Sequence, residues 1–415
     1  KPLEKSEEVR LWLHNLLDIN SPLIVAQCLG WFVSCFHKPF YIEGYEQFPL
    51  LHPNGPAQSG KTMTCRLLGR MYYLASEPLL QSCASSTKEF ALKAAMTAAT
   101  SIPLLLDEYK PSEMGSIRTS FLTNNFRLAY NNGSGSSGGM TRGNIGGSFR
   151  DVTNYTFSTP LCYMGEAQEM QSAVLQRSVP VSFSMATSTA HRAQYEAARD
   201  GQKHMPALGS LLLRHSLRET VESRREALDP IVEKLRVHFE SKADERFIFN
   251  LAVLIAGLDY IEQALANKFG DEFSAKFAEL KGSLLNAPER MSSRSMSEAD
   301  KMLNDLALIS RTEEPESEFA LREGYEYVVK EGSVELLMRE TFVKYFAWCK
   351  RKGFAPYYIN SESFVEAMRK HAAVTDSLCF GSPIKRTGQA KVFRFDTVKL
   401  SAEGVETFKS KALDK

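Results

Sequence analysis

The stretch LLHPNGPAQSGKTMTCRLLGRMYYL, near the start of the sequence, places the strongest constraint on the fold. In it, Gly55 is followed by four residues and then by Gly60, Lys61 and Thr62, which is the spacing of a phosphate-binding loop. A strand-like segment leads into the loop, and a segment with apolar residues at helical intervals leads out of it. Such a loop needs this order, because its glycines turn backbone N–H groups toward phosphate and the helix N-terminus adds a positive dipole.

The loop supplies the candidate nucleotide-binding residues. We expect Lys61 to reach the β- and γ-phosphates and the hydroxyl of Thr62 to ligate Mg²⁺. The alternative is a Gly-Pro turn with a surface lysine, and the flanking segments favour the nucleotide site. The candidates are Gly55, Pro56, Ala57, Gln58, Ser59, Gly60, Lys61, Thr62 and Met63.

A second signal lies in SIPLLLDEYK, an apolar strand that ends in Asp107 and Glu108. We expect Asp107 to hold Mg²⁺ through its water shell and Glu108 to polarise an attacking water. Acids often end strands, but this pair follows Thr62 by 45 residues with a strand and a helix between them. Together the motifs predict a nucleotide-hydrolysing site. The acid pair argues against a small-molecule kinase, which needs no water-activating glutamate.

Two later positions are candidates for completing the site. The strand PLCYMGE ends at Glu166, which we predict senses the γ-phosphate. Ser158 and Thr159 are alternative sensors, and a simple helix-capping role for Glu166 is equally compatible with the sequence. Arg177 lies between a helix and the next strand. In ring ATPases an arginine at this place stabilises transition-state charge in the neighbouring subunit's site. The alternative is a surface arginine.

The segment from Met114 to Arg150 contains no Asp or Glu and is rich in glycine and serine. It lies between the acid strand and the next strand, so it is no interdomain tether, and loops longer than about 15 residues inside a domain are usually functional or disordered. We predict a mobile hairpin whose Arg142 and Arg150 follow a nucleic-acid backbone, with Met140 and Phe149 packing against the strand. A disordered surface loop is the alternative.

The order of apolar runs and helical patterns predicts the organisation of the chain. Its 415 residues exceed one ordinary core and indicate two or three domains. Alternating runs predict an α/β fold, a parallel sheet covered by helices. The predicted strands are 48–52, 78–81, 102–106, 160–164 and 179–183. The predicted parts are an N-terminal helical collar at 1–45, the sheet core at 46–190, a helical region at 191–296 and a C-terminal domain at 297–415.

The C-terminal part is locally basic. Residues 339–399 hold twelve Lys/Arg and five Asp/Glu, in a chain whose net charge is only +1. Two helical patterns followed by two strands predict a winged-helix-like fold, with Lys385 and Arg386 on the wing. Such folds bind DNA or mediate protein contacts, and the sequence favours neither.

Composition excludes several classes of protein. No apolar run in the sequence reaches the roughly 18 residues that a membrane-spanning helix needs. The nearest candidate, FIFNLAVLIAGLDYI, predicts a buried helix. The seven cysteines are scattered without a CxxC pair, which suits a reducing compartment and argues against a disulfide scaffold. We therefore expect a cytoplasmic protein without a membrane partner.

The order of Gly55–Thr62, Leu104–Glu108, the basic insert, Glu166 and Arg177 resembles that of superfamily 3-like AAA+ helicases. The resemblance is greatest to the helicase halves of phage and mobile-element primase-helicases (primase-polymerases). The segment SPLIVAQCLGWFVSCF and the winged-helix-like tail also look like that group. One departure is that the family usually carries Asn at the sensor strand, where this chain has MGE.

This resemblance implies an AAA+ P-loop core that binds ATP and Mg²⁺. It also implies a hexameric ring that moves along single-stranded DNA in phage or mobile-element replication, with the insert gripping the DNA. The missing start would fit a longer chain with an N-terminal primase or polymerase domain, in the cytoplasm of a bacterial host if phage-encoded. The alternative is a nucleotide-switched AAA+ initiator, loader or defence regulator that binds partners without unwinding.

Overall fold

The computed structural model divides the chain into two compact units, residues 1–293 and 294–415. The boundary falls in the polar stretch that follows the long helical region, while the division of the first unit into collar, core and helical region stays a prediction. The structure describes residues 2–72, 80–84, 86–138, 152–166, 172–239, 243–286, 298–311, 319–352, 356–358, 360–377, 382–384, 391–402, 405 and 408–409.

The first unit is built around a parallel sheet, as the alternating apolar runs predicted. Five strands pair in the order β2-β3-β6-β1-β7, and all their pairings are parallel. A separate antiparallel pair, β4 and β5, lies between β3 and β6 in sequence. The strands are β1 (Leu50–Asn54), β2 (Leu80–Ser82), β3 (Leu104–Tyr109), β4 (Ser134–Gly138), β5 (Val152–Thr156), β6 (Leu161–Gly165) and β7 (Ser178–Ser182).

Helices flank this sheet. The N-terminal helices and those after residue 190 bury their apolar residues in the same core as one face of the sheet. The helices are α1 (Glu7–Leu17), α2 (Pro22–Ser34), α3 (Lys38–Tyr45), α4 (Lys61–Gly69), α5 (Glu89–Met96), α6 (Pro111–Met114), α7 (Ser116–Tyr130), α8 (Ser172–Leu175), α9 (Met185–Ala190), α10 (Arg192–Asp200), α11 (Met205–Ser216), α12 (Val221–His238), α13 (Glu245–Phe269) and α14 (Ser274–Leu285).

Two glycines allow the central helices α2 and α13 to cross with their backbones in contact. A Cβ atom on Gly257 would lie 2.1 Å from the carbonyl oxygen of Gly30, and one on Gly30 would lie 2.6 Å from that of Leu254. The hydroxyl of Ser34 also donates to the carbonyl of Val253 at 2.7 Å. Since glycine weakens a helix interior by roughly 1 kcal/mol, the close packing of the two helices must offset that cost.

The helix predicted from FIFNLAVLIAGLDYI lies within α13 and is buried, which confirms that prediction. The stretch Glu245–Leu285 is long and apolar enough to cross a membrane, but 83% of its most apolar window is buried inside the protein. In the described chain this stretch therefore acts as a core helix of the first unit.

The second unit contains a four-stranded antiparallel sheet in the order β10-β11-β9-β8, with helices around it. The predicted sequence of two helices and two strands is present, but the hairpin β8–β9 precedes it and was not predicted. Lys385 and Arg386 lie outside the described residues. The elements are α15 (Glu298–Ser310), β8 (Tyr327–Lys330), β9 (Ser333–Leu337), α16 (Met338–Lys352), α17 (Ser361–Arg369), β10 (Val374–Asp376), β11 (Val392–Asp396) and α18 (Thr397–Ala402).

Candidate nucleotide-binding site

The predicted phosphate loop joins β1 to α4 at the carboxyl edge of the parallel sheet. Gly55 has a φ angle of 140° and Gly60 one of 89°, both in the region that favours glycine. A Cβ atom on Gly55 would lie 2.2 Å from the carbonyl oxygen of Phe183, so only glycine fits there. The glycine spacing read from the sequence thus reflects backbone geometry that the loop requires.

Lys61 begins α4 and folds back into the loop. Its Nζ donates to the carbonyl oxygens of Gly55 at 2.7 Å and Pro56 at 2.8 Å, and to Ser59 Oγ at 3.3 Å. Burial lowers the pKa of Lys61, and the nearby carboxylates of Glu166 and Asp107 oppose that shift. A bound phosphate would offer the ammonium charged acceptors in place of these carbonyls, so the side chain is positioned for that exchange.

The two predicted magnesium ligands meet. Thr62 Oγ1 donates to Asp107 Oδ2 at 3.0 Å, which brings α4 and β3 together. Both groups offer oxygen atoms, the ligands that Mg²⁺ prefers, and Mg²⁺ commonly takes one or two protein ligands and fills its other positions with water and phosphate. Among the described residues no cluster of three or more His, Cys, Asp or Glu forms a separate metal cage. The pair therefore fits a magnesium ion held jointly by protein and nucleotide.

Glu108 is placed by a bulge in β3. Leu106 is paired with Tyr163, but Tyr109 is paired with Gly165, so β3 has one residue more than β6 over this interval. Glu108 itself has a φ angle of 59°, uncommon for a residue other than glycine. Its backbone N–H donates to Asp107 Oδ1 at 2.8 Å. Bulges commonly re-aim side chains next to active sites, and this one turns the second acid out of the strand.

Ser82, at the end of β2, was not identified from the sequence, and its hydroxyl donates to Glu108 Oε2. The two residues are brought together because β2 and β3 are neighbours, with Ser82 paired to Asp107. Strand order cannot be read from a single sequence, and serine carries no motif of its own. The contact engages a carboxylate oxygen that activation of a water would use.

The strand β6 lies between β1 and β3, so the backbones of β1 and β3 are about 10 Å apart, and the Thr62–Asp107 hydrogen bond bridges that distance. Glu166 follows β6 at the same edge, and its Oε1 lies 2.9 Å from Lys110 Nζ. Ser158 and Thr159 precede β6 and bond to carbonyls of Ala95 and Ala99 at the opposite edge. Their alternative role as sensors is wrong, because parallel strands place them at the far end of the sheet.

Arg177 lies at the opposite edge from the loop. It precedes β7, and its carbonyl accepts a hydrogen bond from Leu50 N, at the start of β1, at 2.9 Å. Its Nη1 donates to Ala173 O at 2.6 Å, and its guanidinium lies 5.7 Å from the ring centre of Tyr130. Burial and the charge of Arg246 lower the pKa of Arg177. The β1 strand separates it from its own loop by roughly 15 Å.

A cleft that was not predicted from the sequence lies beside the loop. It is lined by Asn20, Met63, Arg192 and Tyr195, among others. The helix α9 closes one side, and the hydroxyl of Ser188 donates to the carbonyl of Ser59 in the loop. The cleft combines distant parts of the chain, and of its lining residues only Gln58, Gly60 and Met63 had been candidates.

The predicted DNA-contacting residues Met140, Arg142, Phe149 and Arg150 lie outside the described residues. The base of the insert is described, and it is a hairpin in which β4 pairs with β5 from Ser134–Thr156 to Gly138–Val152. Arg118, one of the arginines of the acid-free segment, is buried and donates to the carbonyls of Cys83 and Ala84. It therefore serves the fold and is excluded from any nucleic-acid surface.

No protein-family model matches the chain, and no curated protein matches it. Among solved structures, one titled "SCCmec type IV Cch - active helicase" matches with a TM-score of 0.52 at 14% sequence identity. The chain shares that fold. The match covers 97% of this chain and 72% of the other. A five-stranded parallel sheet flanked by helices, with a phosphate loop at its carboxyl edge, is consistent with a P-loop helicase core.

Proposed function

We propose that the protein is an ATP-driven DNA helicase or translocase of the superfamily 3-like AAA+ type. The observation that carries this proposal is the Thr62–Asp107 contact of 3.0 Å beside Glu108, at the edge where Lys61 closes a phosphate loop. This arrangement supplies a phosphate cradle, oxygen ligands for Mg²⁺ and a carboxylate for water. The similarity in fold to a helicase supports DNA as the partner and ATP as the nucleotide.

Each residue has a defined part in hydrolysis. Lys61 and the loop N–H groups bind the β- and γ-phosphates, while Thr62 and Asp107 would hold Mg²⁺. The ion, when bound, neutralises charge on the phosphates. Glu108 accepts a hydrogen bond from water and orients it toward the γ-phosphorus. The cleft lined by Asn20 and Tyr195 receives the nucleoside.

The position of Arg177 supports a ring as part of the proposal. Arg177 is at the wrong edge of the sheet to touch its own nucleotide, so it acts on a neighbouring subunit's nucleotide in a homo-oligomer, which we propose is a hexamer. The ring encircles single-stranded DNA and contacts it through the hairpin whose base is β4–β5. A role in phage or mobile-element replication, with a primase or polymerase domain in the same chain, completes the proposal.

An assay of ATP hydrolysis and strand unwinding, with and without single-stranded DNA, tests the function. We expect DNA to stimulate hydrolysis and the protein to separate a forked duplex. If the rate of ATP hydrolysis is the same with and without DNA and no duplex is unwound, the alternative of a nucleotide-switched initiator, loader or defence regulator is favoured. The Glu108→Gln variant serves as the matched control, since it should bind ATP and hydrolyse it very slowly.

Ser82→Ala should raise DNA-independent hydrolysis by about fivefold, because the hydrogen bond that occupies Glu108 is lost. Ser82→Thr keeps a hydroxyl and should behave as the parent protein does. The measurement is phosphate release without DNA at saturating ATP. A Ser82→Ala rate equal to or below that of Ser82→Thr would show that the contact does not restrain Glu108.

Removing the predicted DNA-contacting arginines Arg142 and Arg150 should weaken DNA binding at every sequence, because phosphate contacts carry no base information. Each arginine contact to single-stranded DNA contributes about 0.7 to the slope of log affinity against log salt, so Arg142→Ala/Arg150→Ala should lower the slope by about 1.4 per subunit engaged. Basal hydrolysis should persist, while DNA stimulation and unwinding should fall. DNA affinity across a salt series is the measurement.

The matched control is Arg214→Ala/Arg218→Ala, which removes the same charge from exposed positions on the helical side of the first unit. Its slope should equal that of the parent protein. If the hairpin variant also shows the parent's affinity and slope, the hairpin is not the DNA contact. The basic C-terminal unit then becomes the better candidate.

A further inference from the structure

Lys110 and Glu166 form an ion pair at the edge of the sheet that carries the phosphate loop. Lys110 directly follows β3 and Glu166 directly follows β6, and these strands are neighbours. Lys110 Nζ lies 2.9 Å from Glu166 Oε1 and 3.6 Å from Glu113 Oε1. The hydrogen bond with Glu166 raises the pKa of Lys110 and lowers that of Glu166. Both shifts favour the charged forms of the two side chains.

The strand register puts this pair beside the loop. Gly165, the last residue of β6, is paired with Asn54, the last residue of β1 before the loop. Both members of the pair also act on Lys61: the charge of Glu166 raises its pKa and that of Lys110 lowers it. The pair and the loop lysine therefore share one electrostatic environment at the carboxyl edge.

The charges of Lys110 and Glu166 determine how this edge of the sheet would interact with a phosphate. A bare carboxylate at Glu166 would repel the terminal phosphate, which makes it a poor sensor on its own. Lys110 compensates for that charge and still has 29% of its side chain exposed. Its ammonium has three donors on a flexible stem, so it can change acceptors without a backbone movement.

We propose that Lys110 is a second phosphate-binding residue. When a nucleoside triphosphate is bound, Lys110 breaks its contact with Glu166 and binds the terminal phosphate. Glu166 is then a positioning residue that holds the lysine at the edge when that phosphate is absent. This inference rests on the proposed function, since it assigns a residue at the same nucleotide site. The exchange of Lys110 between Glu166 and phosphate would let the site distinguish a nucleoside triphosphate from a diphosphate. Superfamily 3-like helicases, which the sequence resembles, usually carry asparagine at this place.

Titration calorimetry of the full chain with Mg²⁺, using ATPγS and ADP, tests the proposal. Lys110→Met should lose ATPγS affinity roughly ten- to hundredfold, because a charged hydrogen-bond donor to phosphate is removed. Its ADP affinity should stay within about twofold of the parent, since ADP lacks the terminal phosphate. Glu166→Gln should retain or gain ATPγS affinity, because the acceptor that competes for Lys110 is weakened.

The two variants should differ in ATPγS affinity, which falls for Lys110→Met and does not fall for Glu166→Gln. This difference separates the proposed role from that of a structural ion pair. If the pair only joins β3 to β6, Lys110→Met and Glu166→Gln should lower both affinities together, and that result would overturn the proposal. Lys110→Met binding ATPγS as the parent does would also overturn it. The Glu166→Gln measurement tests the proposal even if Lys110→Met fails to fold. A fall in the ATPγS affinity of Glu166→Gln would show that Glu166 does not compete with phosphate for Lys110.

Lys61→Ala distinguishes a failure of this inference from a failure of the proposed function. It should weaken both nucleotides, since Lys61 belongs to the loop that binds the phosphates they share. If Lys61→Ala leaves both affinities unchanged, the nucleotide site itself is wrong. If Lys61→Ala weakens both while Lys110→Met changes neither, the nucleotide site stands and the role of Lys110 is rejected.

Discussion

Lys61→Ala is expected to abolish ATP hydrolysis while the chain stays folded. Its ammonium lies inside the loop, 2.7 and 2.8 Å from the carbonyl oxygens of Gly55 and Pro56, where the proposed site would bind phosphate. Removing one such electrostatic contact from a catalytic site typically costs a factor of about 100 to 1,000 in rate. Phosphate release at saturating ATP measures the loss.

Stability should change little in this variant. Burial opposes the charge on Lys61, as its lowered pKa shows, so the fold gains little from the ammonium. The carbonyls of Gly55 and Pro56 belong to a surface loop and can bond to water after the substitution. Thermal unfolding of Lys61→Ala beside Lys234→Ala, which removes an exposed lysine from α12, checks this expectation. Hydrolysis at the parent's rate would reject the site.

The parallel sheet was predictable because four of its five strands, β1, β3, β6 and β7, are largely buried. Such strands are continuous apolar runs, and all five predicted runs overlap observed strands. The hairpin β8–β9 was missed although a local signal exists. Glu331 and Gly332 form a two-residue connection, and Gly332 has a φ angle of 70°. A glycine in a two-residue connection is a weaker hairpin signal than Asn-Gly or Asp-Gly, so the signal here is slight.

The site was predictable only where its chemistry depends on spacing along the chain. Gly55, Lys61 and Thr62 act within one turn of the backbone, so their pattern is visible in sequence. The partners of the acids were not visible. Ser82 reaches Glu108 because β2 pairs with β3, and Lys110 reaches Glu166 because β3 pairs with β6. Neither strand order nor the bulge at Glu108 has a signature in one sequence.

Arg177→Ala should lower hydrolysis at least as strongly as Lys61→Ala, since arginines that act in trans contribute factors of about 10³ to 10⁵. Arg177 lies one strand length from its own loop, so in the proposed ring it would act on a neighbouring subunit's nucleotide. Arg246 adds positive charge beside it, which favours an anion at this surface. Arg177→Lys should recover little, because lysine cannot reproduce a two-pronged contact to phosphate.

Mixing two inactive variants tests the trans role directly. An Arg177→Ala subunit retains a good loop and a Lys61→Ala subunit retains a good arginine, so a junction between them in the right order contains a complete site. In rings assembled at random from equal amounts, about a quarter of junctions have that order. Hydrolysis should therefore reappear on mixing, and it should vanish again when either variant is in large excess. If rings shown to contain both subunits stay inactive, Arg177 acts through its contacts with Ala173 and Tyr130 within one subunit, and its effect is structural.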